Sequence, residues 1–147
     1  PPLRGEADRR AVVAGLADGT IDAIASDHSP HDQESKRLPF TSAASGIVGL
    51  ETLLPLSLAL YHNGDMDLLG VLRALTQRPA EILRLPAGRL AVGSPADVII
   101  FDLNKPWRID SETYRSKSKN APYDGRPVQG MAVRTIVGGR TVYIRES

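Results

Sequence analysis

The sequence holds no cysteine. A disulfide framework, a thiolate zinc site and a cysteine nucleophile are therefore all excluded, and a reducing, cytoplasmic setting is the expectation. Aromatic residues make up only 5%, with a single Trp. The longest apolar stretch, around Ile47–Leu60, is interrupted by Gly49, Glu51, Thr52, Pro55 and Ser57, so no membrane span is expected. Neither a start Met nor a basic-then-apolar leader is present; the chain opens on Pro1-Pro2, as an excised or processed piece would. Internal repeats and low-complexity tracts are absent as well.

What is present suits one domain of ordinary size or two small ones: 147 residues, 41% apolar and 24% charged, enough to bury a core. A complete (β/α)8 barrel needs roughly 200–250 residues. Any barrel motifs found here can build only part of one. The net charge of +1 hides an asymmetry: residues 1–102 hold 9 Lys/Arg against 13 Asp/Glu, and residues 103–147 hold 9 against 4. The basic excess gathers at Arg115, Lys117 and Lys119. That run lacks the interleaved aromatics of a nucleic-acid stacking surface, so a solvated loop is expected and no nucleic-acid partner.

The elements can be placed from spacing. Glu6 to Asp18, with Val12, Val13 and Leu16, reads as a helix closed by Gly19. Residues 20–26 read as a short, largely apolar strand of the kind covered on both faces in a parallel sheet. It leads into the polar burst Asp27-His28-Ser29-Pro30-His31-Asp32. In such folds the C-terminal ends of strands hold the chemistry. A helix is expected from about Ile47 to His62, kinked or broken at Pro55. Asp67 caps a further helix through Leu75, and another starts at Thr76 with Pro79 in its first turn. Beyond Gly88 the texture turns to strands: Arg89–Val92, Asp97–Asp102, Ala132–Val137 and Arg140–Ile144. The last two are joined by a Gly138-Gly139 hairpin turn, with an irregular loop from about Leu103 to Gln129.

Of the three histidines, His62 at a helix end reads as structural. His28 and His31 differ in having Asp27 beside them at a strand-to-loop junction. A carboxylate there can ligate a metal ion and accept a proton from an attacking water, and an imidazole four residues on can meet a substrate group or bind metal itself. Equally, Asp27 can simply cap the following loop, with His31 solvated. One Asp and two His cannot complete a catalytic metal site, which typically takes three or more protein ligands.

These residues carry a resemblance. Gly19-Thr20-Ile21-Asp22-Ala23-Ile24-Ala25-Ser26-Asp27-His28-Ser29-Pro30-His31 resembles the eighth-strand signature of bacterial class I dihydroorotases, in the amidohydrolase superfamily. The likeness continues through Gly46–Thr52, Arg78–Leu83, Gly88–Leu90 and Gly93–Val98. Ser118–Gly125 is similar to a segment those enzymes share with hydantoinases. The implied fold is α/β: a C-terminal fragment of a (β/α)8 TIM-type barrel plus part of a small β-sandwich domain. Residues 1–87 would be the last barrel strand and C-terminal helices, and residues 88–147 the C-terminal part of the small β domain. By the same resemblance Asp27 ligates the metal centre and serves as general base and acid. His31 hydrogen-bonds the substrate, and Ser45 and Gly46 meet it through their backbone. His28 inherits at most a part in orienting Asp27. The chain departs from its relatives at Ala44-Ser45-Gly46, where Pro-Phe-Gly is usual. Allantoinases and hydantoinases usually lack the second histidine, so His31 favours the dihydroorotase reading.

For the complete enzyme the resemblance implies one or two zinc ions, mostly held by residues absent from this chain. It implies reversible interconversion of (S)-dihydroorotate and N-carbamoyl-L-aspartate in pyrimidine synthesis. The implied partners are that small-molecule substrate, the missing N-terminal part of the enzyme, and a second copy in a homo-oligomer, with aspartate transcarbamoylase a further candidate. Two other readings stay open. One is a hydantoinase- or allantoinase-type cyclic amidohydrolase. The other is a non-catalytic subunit supporting aspartate transcarbamoylase, against which the retained Asp27 and His31 argue.

Overall fold

The computed structural model describes residues 3–145. Five helices come first: α1 (Glu6–Asp18), α2 (Gln33–Lys36), α3 (Leu53–His62), α4 (Leu68–Leu75) and α5 (Gln77–Ile82). Three strands follow, β1 (Val98–Arg108), β2 (Pro127–Val137) and β3 (Arg140–Ile144), with a 3-10 turn at Ser111–Thr113. They form one antiparallel sheet in the order β1-β2-β3. The change from helical to strand texture therefore falls between Ile82 and Val98.

Local chemistry explains most of the boundaries. Gly19 closes α1 at φ +83, and the Asp67 side chain accepts the Gly70 N–H at 2.7 Å to cap α4. Pro79 sits in the first turn of α5, where the missing N–H costs nothing. Gly138 and Gly139, at φ +54 and +77, make the tight β2–β3 turn, with Val137 paired to Arg140.

Four expectations are corrected. Pro55 does not kink a long helix: α3 starts at Leu53, so Pro55 falls in its first turn, where an amide has no intrahelical partner. Residues 20–26 are extended but form no strand. Among the described residues no strand lies alongside to complete a ladder, and the segment is tied to helices instead. Ile21 N–H donates to the Gly15 carbonyl at 2.8 Å and Ile24 N–H to the Ala74 carbonyl at 2.9 Å, while Arg78 pairs with Asp22 at 2.6 Å. Arg89–Val92 likewise has no neighbouring strand among the described residues, and Leu90 is 86% exposed. Conversely, the loop expected from Leu103 is strand to Arg108. The Asp102 carboxylate accepts the Asn104 and Lys105 N–H groups, both at 3.0 Å, and so builds the irregularity that lets β1 continue.

The core lies where α3 crosses β2. Leu58 is fully buried, and Gly130 of β2 comes so close that a Cβ there would collide with the Leu58 side chain. Burying such a leucine contributes about 1.5–3 kcal/mol. Val48, Ile109 and Tyr114 form a second buried cluster, with Leu56, Trp107, Tyr123 and Val128 packed on it. This cluster backs the loops that bear the polar residues.

Candidate functional site

Asp27 ends the extended segment with its carboxylate exposed. Two local donors orient it: the His28 N–H reaches Oδ1 at 2.8 Å and the Ser29 hydroxyl reaches Oδ2 at 3.3 Å. The remaining lone pairs face outward, beside an apolar groove of about 350 Å³ lined by Ile24, Ile47, Leu53, Leu56 and Tyr123. His28 turns away from the carboxylate, and its Nδ1 accepts the Gly49 N–H at 3.3 Å.

The Asp27–His31 loop lies against the Ala44–Gly49 loop. Ser29 N–H donates to the Ile47 carbonyl at 2.8 Å. Gly46, at φ +109, leaves no room for a Cβ beside the Ser29 Cβ, and Gly49 leaves none beside the Asp27 carbonyl. Glycine at both places is thus a requirement of close approach. His31 Nε2 stands 2.9 Å from the Ser45 carbonyl. A carbonyl only accepts, so Nε2 bears the proton and Nδ1 is the nitrogen left for another partner.

All three carbonyls of residues 44–46 are engaged. Lys36 Nζ donates to Ala44 at 2.7 Å and to Gly46 at 3.0 Å, and His31 takes Ser45. α2, which delivers Lys36, is short and depends on its cap: Asp32 accepts the Ser35 N–H at 2.7 Å, which holds the Asp32 carboxyl below its ordinary value. The structure therefore sets the loop of Asp27 and His31 against the loop of Ser45 and Gly46. His62 stays apart at the end of α3, its ring tilted against Tyr61. Sequence reasoning missed two further residues on this surface, Lys36 and Asn120. Asn120 belongs to the Ser118–Gly125 segment already singled out, yet its side chain gives no hint of partners about 90 residues away.

A carboxylate placed like that of Asp27 can give a metal ion one ligand. Among the described residues no three His, Cys, Asp or Glu side chains form a group able to hold an ion. A larger cleft, of about 410 Å³ between α1 and α4, is lined by none of the four site residues. The basic run is largely internal in its attachments: Lys119 Nζ donates to the Glu112 and Tyr114 carbonyls, and Arg115 lies 5.8 Å over the Tyr143 ring. Among the described residues no helix is long and apolar enough to cross a membrane.

This α/β scaffold, with its extended segment ending on Asp27 and glycine-lined loops around it, recurs in solved structures. The L-hydantoinase (dihydropyrimidinase) from Arthrobacter aurescens superposes with a TM-score of 0.93 at 33% identity, over 100% of this chain and 34% of that one. A dihydropyrimidinase from Brevibacillus agri shares the fold at a TM-score of 0.91 and 24% identity. The family is given by the sequence itself: residues 2–142 match the amidohydrolase family, and the chain belongs to it. Its similar relatives include dihydroorotases of Wolbachia sp. subsp. Drosophila simulans, 56% identical over 100% of this chain, and of Anaplasma phagocytophilum, 57% identical over 99%. The chain spans about a third of the length of each, 33%.

Proposed function

We propose that this chain is the C-terminal part of a dihydroorotase, comprising the end of the barrel (1–87) and the C-terminal part of the small β domain (88–147). The reaction proposed for the complete protein is the reversible opening of (S)-dihydroorotate to N-carbamoyl-L-aspartate. The observation that supports it most is the packing of the Asp27–His31 loop on the Ser45–Gly46 loop in a chain 56% identical along its whole length to a dihydroorotase.

A divalent ion, zinc in this reading, supplies Lewis acidity toward the ring carbonyl when bound, and Asp27 is this chain's ligand to it. The rest of the chemistry belongs to the protein's own groups. Asp27 takes the proton of the attacking water while the His28 N–H and Ser29 hydroxyl keep its carboxylate aimed. The same proton passes to the ring nitrogen as the amide C–N bond breaks, so the carboxylate is regenerated. His31 offers Nδ1 to the substrate, since Nε2 is held by Ser45. With the carbonyls of residues 44–46 drawn back, the Ser45 and Gly46 amides are offered to an anionic substrate. The same reading places the protein in the cytoplasm, as a homo-oligomer, with aspartate transcarbamoylase as a candidate partner.

The structural likeness to the Arthrobacter hydantoinase favours one second reading, a hydantoinase-type cyclic amidohydrolase. Both are tested together by supplying the full-length protein with dihydroorotate, 5-substituted hydantoins and dihydrouracil. Turnover of dihydroorotate far above the others is the expected result; preference for a hydantoin overturns the first reading in favour of the second.

A further inference from the structure

We propose that Asn120 is a positioning residue that locks the His31 loop and the Ser45–Gly46 loop into one substrate-facing surface. The proposal deepens the reading above and rests on it. The Asn120 side-chain amide spans both loops. Nδ2 donates to the Ser29 carbonyl at 2.9 Å and to the Gly46 carbonyl at 3.3 Å, and Oδ1 accepts the His31 N–H at 3.4 Å. Only one orientation of the amide works, because the first two partners can only accept and the third can only donate.

The clasp is anchored from behind. The Asn120 carbonyl accepts the Val48 N–H at 3.3 Å, and Val48 is buried against Ile109 and Tyr114. Lys119, the preceding residue, donates to the carbonyls of Glu112 and Tyr114 at 3.1 and 3.0 Å. The segment after the 3-10 turn is thereby fixed to the core, and its one amide side chain reaches out to the two loops. The loops are also joined by the bond from Ser29 N–H to the Ile47 carbonyl, by His31 on the Ser45 carbonyl and by His28 on the Gly49 N–H. Asn120 alone among these groups bonds both loops from a third segment. Asn120 touches no group assigned to the reaction through its own chemistry. It sets where the His31 ring and the Gly46 peptide stand relative to each other.

The variants separate this from a plain packing role. Asn120→Asp keeps the shape and the acceptor for His31 N–H, but turns an oxygen toward two carbonyl oxygens. In the full-length protein it is expected to lower kcat/KM on dihydroorotate by about tenfold to a hundredfold, chiefly through KM, with metal content unchanged. In a His31→Ala background the same substitution is expected to cost less than about threefold, because residues acting through one another are not additive. Asn120→Ser, milder for folding, is expected to show a smaller loss with the same shrinkage in that background. An equal factor in both backgrounds, or unchanged kcat/KM beside a lowered Tm, overturns the proposal and leaves Asn120 a packing residue. Failure of the underlying reading shows in a different place, as wild-type protein that does not open dihydroorotate. The cycle then runs on whichever cyclic amide it does open, and absence of turnover on all of them overturns both.

Discussion

At the scale of single residues, the division of labour between Asp27 and His31 yields the sharpest expectation. Asp27→Asn preserves size and the His28 contact but removes what the proposed function takes as the proton acceptor and the anionic ligand. In the full-length protein it should abolish turnover. His31→Ala removes a partner of Ser45 and, on the proposed function, of the substrate but no metal ligand, so metal content should stay normal while kcat/KM falls. Metal analysis beside steady-state kinetics on both variants checks this; metal loss in His31→Ala with near-normal turnover in Asp27→Asn would reverse the roles. Lys36→Met frees the Ala44 and Gly46 carbonyls, each held by a charged donor whose bond contributes about 1.5–3 kcal/mol. A raised KM with intact metal is the expected result. The junction at Asp27 is legible in the sequence because a polar burst directly follows a largely apolar run, while the roles given to Asp27 and His31 come from the resemblance and not from that pattern. Lys36 and Asn120 are not, because both act on backbone carbonyls, and a carbonyl's identity leaves no mark on composition or spacing.

At the scale of elements, the α3–β2 crossing depends on one missing methyl group. Gly130→Ala must place a Cβ at φ +97 and against Leu58, the most buried leucine. Backbone strain and overpacking together should cost about 2–4 kcal/mol, read as a lowered urea midpoint without change in slope. Asp67→Ala removes the α4 cap and should cost about 1 kcal/mol. A pH-dependent contribution comes from the loop after β1. The Ser111 N–H donates to Asp124 at 2.7 Å, and that bond holds the Asp124 carboxyl below its ordinary value. A depressed carboxylate contributes stability above its unfolded value and loses it as pH falls through the folded one. Asp124→Asn should therefore shrink the difference in urea midpoint between about pH 7 and about pH 3. Helix caps and the diglycine turn were legible because each works within four residues. Residues 20–26 were not: strand character belongs to a pair of strands, and no partner lies alongside that segment among the described residues.

At the scale of the whole molecule, the described surface has the wrong character for a chain that works alone. Phe40 is 96% exposed and Leu90 86%, and Leu69, Ile82, Leu83 and Val142 are all more exposed than buried. The extended segment before Asp27 presents its edge without a strand beside it among the described residues. One free carboxylate is too small a donor set for tight metal binding, since a catalytic site takes three or more protein ligands. The purified 147-residue chain is therefore expected to bind zinc only weakly, to leave dihydroorotate unchanged and to associate in solution. Chelator competition, a turnover assay and light scattering at several protein concentrations measure the three properties. Stoichiometric zinc that resists a chelator, or turnover by this chain as a monomer, would mean that Asp27 finds its remaining ligands within residues 1–147. The division of the active site between this chain and the rest of the protein would then be wrong.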